Sequence, residues 1–158
     1  MTLHRVAIID DDQDFPVLLM RSIYIIYMRH NLTKPVFEVY NNPLDADKEM
    51  GTNAINAELA FIDTRMPKLM GYELCKHLKT RLNGSCCPII GMSGNEPNSE
   101  LQYEMLFREA GAVGFYSKNI LLGINNQKHK ISDDQNTVLE ELILKYNSNN
   151  NWYTSAQH

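Results

Sequence analysis

The sequence predicts an α/β domain built on a parallel sheet with helices on both faces. Three observations lead there. Short apolar runs recur along the chain as RVAII, PVFEVY, LAFI, PIIGM and GFYS, beginning at Arg5, Pro35, Leu59, Pro88 and Gly114. They alternate with segments whose apolar residues repeat at helical spacing, the order of a β-α-β chain. Each run is close to continuously apolar, as strands buried on both faces of a parallel sheet are. Crossovers between such strands are right-handed.

The first run, Arg5 to Ile9, is rich in β-branched residues and stops at Asp10, Asp11 and Asp12. A helix is predicted over Asp14 to Asn31, with Pro16 tolerated in its first turn. Phe15, Leu18, Leu19, Ser22, Ile23 and Ile26 form its inner face. Met20, Tyr24, Tyr27 and Met28 make its other side more apolar than solvent requires, which implies cover by a neighbouring loop or a docking surface. The second strand, Pro35 to Tyr40, is broken by Asn41, Asn42 and Pro43, and a short polar helix follows over residues 43–50. Leu59 to Ile62 is the third strand, ending at Asp63. The next helix, Gly71 to Leu82, turns Tyr72, Cys75, Leu78 and Leu82 inward and Lys76, His77, Lys79 and Arg81 outward. Pro88 to Met92 is the fourth strand and ends at Ser93. Ser99 to Ala110 is a helix with Tyr103, Leu106, Phe107 and Ala110 in register, a Ser99–Gln102 capping box and Gly111 as its stop. Gly114 to Ser117 is the fifth strand, ending at Lys118. Residues 119–131 read as a polar insertion, and Ser132 opens a last helix striped by Val138, Leu139, Leu142, Ile143 and Tyr146. The domain is therefore expected over residues 1–146, with the asparagine-rich residues 147–158 as a tail.

Composition narrows the function. Hydrophobic residues make up 44% and charged residues 22% of 158, enough apolar surface for a core. The net charge of -4 argues against a protein built to grip phosphate backbones, so no direct nucleic acid binding is expected. No apolar stretch reaches the roughly 18 residues of a membrane span. The N-terminal apolar stretch runs straight into acids, unlike a signal peptide. Cys75, Cys86 and Cys87 form neither a disulfide framework nor a zinc pattern, which fits a reducing cytoplasm.

In an open parallel sheet, ligands bind outside the carboxyl ends of the strands. Here those ends carry Asp10, Asp11 and Asp12, then Asp63, Ser93 and Lys118. Taken singly, such residues are commonly caps, turns or surface charges. Taken together, they put several carboxylates at one edge, where mutual repulsion calls for positive charge. Lys118 supplies one charge. A divalent cation would supply two more, and oxygen donors favour Mg2+ or Mn2+ over zinc or copper.

The runs IIDDD, FIDTRMPKLMG, IIGMSG and GFYSK, ending at Asp12, Gly71, Gly94 and Lys118, resemble the receiver domain of two-component response regulators. Asp63 followed by Met66, Pro67 and Gly71 is the most specific part of the match, which covers about residues 3–118 and the last helix. The resemblance implies a flavodoxin-like, doubly wound sheet of strand order 2-1-3-4-5. It implies that Asp63 accepts a phosphoryl group from a phosphohistidine on a histidine kinase or histidine phosphotransfer protein. Mg2+ would be held by Asp11, Asp63 and the backbone carbonyl of Arg65, with Asp10 acting through water. Ser93 and Lys118 would bind phosphoryl oxygens, and Gly94 would leave the site open. Ser93 and Phe115 would form the switch, with Tyr116 on the opposite side of the strand. The signal would pass by docking on a downstream protein, without an output domain. The chain departs from the family's pattern in two places. Asn119 stands where the family has proline, leaving the Lys118–Asn119 bond either cis or trans, and the insertion precedes the last helix.

Two other readings compete. IIDDDQD also resembles the motif of haloacid-dehalogenase phosphatases, with Asp10 as nucleophile, Asp12 as acid/base, and Ser93, Lys118 and Asp133–Asp134 in later roles. That reading leaves Asp63, Met66, Pro67 and Gly71 unexplained. A receiver-shaped adaptor that is never phosphorylated is the other.

Overall fold

The computed structural model describes residues 5–52, 57–83, 86–94, 98–124 and 137–155. Among them run β1 (Arg5–Ile9), α1 (Phe15–Arg29), β2 (Val36–Tyr40), α2 (Pro43–Gly51), β3 (Leu59–Asp63), α3 (Gly71–Arg81), β4 (Ile89–Ser93), α4 (Glu100–Glu109), β5 (Gly114–Ser117), α5 (Lys118–Leu121) and α6 (Thr137–Ser155). The five strands form one parallel sheet of order β2-β1-β3-β4-β5. This is the flavodoxin-like arrangement expected from the sequence.

Alternation along the strands divides the core in two. Val6 and Ile8, Leu59 and Phe61, and Ile90 and Met92 face α1 and α6. Ala7 and Ile9, Ala60 and Ile62, and Ile89 face α2, α3 and α4. Phe115 packs with the second layer and Tyr116 with the first, as period-two alternation in β5 requires. On the first face, α6 is tied to α1 by Glu140, which meets both His30 and Arg29. The hydrogen bond to His30, with help from Arg29, holds the Glu140 carboxyl below its usual range.

Several local expectations are corrected. In α1, Leu18 is exposed and Tyr27 is buried, because the inner stripe is Phe15, Leu19, Ile23, Ile26 and Tyr27. Val17, Leu18, Ile25 and Met28 face out. In α3 the inward set includes Leu74, while Tyr72 and Leu82 are only half-buried. The Ser99–Gln102 capping box does not form. Ser99 has helical torsions, φ -117° and ψ -9°, and its side chain makes no capping bond, whereas a capping residue normally adopts extended torsions. A glutamate does fold back at α3, where Glu73 accepts the Met70 N–H at 3.0 Å. Gly111 stops α4 at φ +100°, as predicted. The segment read as a polar insertion opens within the single turn α5, and its residues 125–131 lie outside the described residues. Ser132, Asp133 and Asp134 lie outside the described residues. Helix α6 continues to Ser155, through the asparagine-rich stretch that composition reads as a tail. Among the described residues, no helix is long and apolar enough to cross a membrane.

Two glycines permit close approaches that no other residue allows. A Cβ on Gly71 would lie 1.9 Å from the Asp63 carbonyl oxygen, because α3 starts hard against the end of β3. A Cβ on Gly91 would lie 2.8 Å from the rings of Phe107 and Phe115. Gly71→Ala must displace backbone, so it is expected to destabilise the fold by about 2–3 kcal/mol. Urea unfolding checks this, and a midpoint within error of the parent's would refute it.

Candidate functional site

The site assembles where four strands end. Asp10 follows β1 and is wholly buried. Its amide donates to the Tyr40 carbonyl at 3.0 Å, and its Oδ1 accepts the Asp12 N–H at 3.0 Å. Asp63 closes β3 and is 6% exposed. Beside it, the Thr64 hydroxyl donates to the Met92 carbonyl at 2.6 Å and the Gly71 amide donates to the Thr64 carbonyl at 2.8 Å. These bonds fix the chain as it leaves β3 against β4 and α3.

Lys118 reaches both acids. Its Nζ lies 2.8 Å from Asp10 Oδ2 and 3.3 Å from Asp63 Oδ1. It also sits 4.8 Å from the centre of the Phe15 ring, a cation–π contact that fixes its approach. Proline is not needed to place it. The peptide bonds of the described residues are all trans, and Ser117 caps α5 by accepting the Ile120 N–H. This turn holds the lysine at the end of β5.

The electrostatics follow from burial. Desolvation, reinforced by the charge of Asp10, pushes the Asp63 carboxyl up to about 7 despite the pull of Lys118. Burial likewise raises Asp10, opposed by Lys118. Burial alone would lower Lys118, but the two carboxylates outweigh it and raise its pKa. One ammonium thus pairs with Asp10 and Asp63, and the exposed Asp11 adds a third carboxylate to the cluster. Oxygens of these three acids lie within 4.8 Å of one another. An all-oxygen, charge-rich donor set of this kind fits a hard divalent cation.

Asp12 has another task. Its Oδ1 accepts the Asp14 and Phe15 amides at 2.9 and 3.5 Å, so it caps the start of α1, and these bonds lower its pKa. Beside Asp63 opens a cavity of about 120 Å³, lined also by Arg65, Ser93, Gly94, Tyr103 and Lys118. A Cβ at Gly94 would meet nothing within 4 Å, so the approach there is open. Ser93 is buried, and its hydroxyl donates to Glu100 Oε1 at 3.2 Å. Arg65 Nε donates to the Tyr103 hydroxyl at 3.1 Å across the cavity mouth. Glu100 and Tyr103 are the site residues that sequence reasoning missed. Tyr103 was expected to turn into the core, and Glu100 carried no signal beyond standing in the first turn of a helix. Phe115 is half-buried against Phe107, ring centres 5.5 Å apart, beneath α4 and away from the carboxylates.

Comparison with solved structures gives a consistent result. The signal receiver domain of a DNA binding response regulator protein (merR) from Colwellia psychrerythraea 34H superposes with a TM-score of 0.65 at 18% identity, covering 90% of this chain and 96% of that one. A CheY-like response regulator receiver domain from Methanospirillum hungatei JF-1 gives 0.60 at 18%, covering 93% and 96%. A response regulator receiver domain from Clostridium thermocellum gives 0.62 at 14%, covering 96% and 99%. This chain has the receiver fold. No family model and no curated protein matches its sequence, so what is shared with these receivers is architecture at low identity.

The raised Asp63 carboxyl carries a stability consequence. Its native pKa, about 7, stands above the unfolded value of 3.8, so the native state binds the proton more tightly. Stability is therefore lost as pH rises from about 4 to about 7. In metal-free protein, Asp63→Asn is expected to be more stable than the parent by about 1–3 kcal/mol at pH 8. The advantage should fade towards pH 4. Thermal melts at the two pH values check this, and an advantage equal at both would contradict it.

Proposed function

We propose that the chain is a signalling receiver whose Asp63 accepts a phosphoryl group from the phosphohistidine of a histidine kinase or histidine phosphotransfer protein. The observation that carries this reading is the pairing of Asp63 with Lys118 beside an open cavity, within an acidic cluster suited to a divalent cation. Phosphoryl transfer asks a protein mainly to position groups and neutralise charge, and these side chains are suited to both.

In the proposed step, an Asp63 oxygen attacks phosphorus. The O–P bond forms as the N–P bond breaks, and the imidazole nitrogen keeps the electron pair and takes up a proton. Lys118 neutralises charge on the acceptor and then on a phosphoryl oxygen. Asp10 holds Lys118 from its other side. Asp11, Asp63 and the Arg65 carbonyl would hold Mg2+ or Mn2+, with Asp10 acting through water. The bound cation supplies positive charge to the acceptor and the equatorial oxygens. The Ser93 hydroxyl binds a second phosphoryl oxygen, and Phe115 responds behind it. The output is a change of shape read by a downstream protein, in the cytoplasm, so the chain is not itself an enzyme in this reading.

The phosphatase reading is weaker. Asp10 is wholly buried and engaged by Lys118 and the Asp12 amide, and Asp12 is occupied as a helix cap.

Incubation with Mg2+ and acetyl phosphate, followed by intact mass, tests the proposal. One phosphoryl mass should appear, stable to acid and labile to base, and vanish with EDTA or with Asp63→Asn. Lys118→Ala should slow labelling by about 10–100-fold. Labelling that survives Asp63→Asn but is lost with Asp10→Asn would favour the phosphatase. Mg2+ binding without labelling by any donor would favour the adaptor.

A further inference from the structure

Ser93 and Glu100 are joined in a way that the transfer step does not use. The Ser93 hydroxyl lines the cavity beside Asp63, yet its hydrogen bond goes to Glu100 Oε1, at 3.2 Å. A hydroxyl has one proton to donate. It can serve Glu100 or a phosphoryl oxygen, not both. An ionised carboxylate only accepts, so Glu100 has nothing to offer a phosphoryl group in return.

Charge sharpens the exchange. A phosphoryl group brings roughly two negative charges and three acceptor oxygens to the site. Glu100 would lose its donor as a like charge arrives on the same side. Glu100 is also the first residue of α4, and the preceding Ser99 makes no side-chain capping bond. The first turn of α4 is therefore linked to the cavity through this carboxylate. On its other side Glu100 lines a groove with Leu101, Glu104, Phe115 and Ile120. Phe115 rests on Phe107 of the same helix, so a shift of α4 alters the support of that ring.

We propose that Glu100 is a positioning residue that holds the Ser93 hydroxyl in the unphosphorylated chain and is expelled by the phosphoryl group, delivering the new charge on Asp63 to the first turn of α4. This rests on the reading of Asp63 as phosphoacceptor. Two functions are separable. The charge of Glu100 opposes the arrival of the phosphoryl group. Its hydrogen bond keeps Ser93 and α4 in the resting arrangement.

The test uses the full chain with Mg2+ and acetyl phosphate, followed by intact mass over time, together with amide NMR shifts of α4. Glu100→Gln keeps an acceptor for Ser93 and removes the charge. It should label roughly three- to tenfold faster than the parent, and the gain should shrink at high salt, which a merely structural role does not predict. Its unlabelled α4 shifts should match the parent's. Glu100→Ala removes the acceptor as well, and its unlabelled α4 shifts should move towards those of the labelled parent. Labelling of both variants at the parent's rate, or α4 shifts in the parent that ignore labelling, would overturn the role of Glu100 while leaving Asp63 as acceptor. A parent that takes no label overturns both.

Discussion

One ammonium set among buried carboxylates is the constraint around which the site is organised. Asp10 and Asp63 stand at the ends of neighbouring strands in the middle of an apolar sheet, where burial strips most of the water from their charge. Lys118, from the end of an edge strand, lies against both at 2.8 and 3.3 Å. The order β2-β1-β3-β4-β5 brings these ends to one side. Phe15 supports the lysine from α1, and Ser117 turns the chain so that it points back over the sheet. Losing the lysine would leave buried negative charge uncompensated.

Hydrogen bonds beside Asp63 anchor the chain as it leaves β3. The amide of Gly71 meets the Thr64 carbonyl, and the Thr64 hydroxyl meets Met92. The end of β3 is therefore held by β4 and α3 together. On the side of α4 the packing is different. Phe107 is wholly buried, but Phe115 and Tyr103 are only half-buried, and Leu101 and Met105 are exposed. The more and the less buried halves meet at Ser93.

The strands were legible because each is an apolar run ended by a polar residue, and burial on two faces imposes that pattern. The same logic found Asp10, Asp63, Ser93 and Lys118, since strand ends in a parallel sheet share an edge. Helix faces were less legible. In α1 nearly every position is apolar, so periodicity could not tell Leu18, which is exposed, from Tyr27, which is buried. Glu100 and Tyr103 were invisible for another reason. Their partners, Ser93 and Arg65, are set by how α4 settles on the sheet, and no local spacing encodes that. The spacing of Ser99 and Gln102 suggested a cap, but helical torsions at Ser99 withdraw it and leave Glu100 turned to Ser93.

The tie between α6 and α1 bears on how the chain can vary. Twelve residues, 125–136, separate the part of the chain that ends the site from the start of α6. Helix α6 is seated by Leu139, Leu142 and Ile143 in the core and by Glu140 against Arg29 and His30. Its position thus comes from its own contacts rather than from a short tether. A substitution at Glu140 would therefore loosen α6 at the C-terminal end of α1, the end opposite Phe15 and the carboxylates it helps to support.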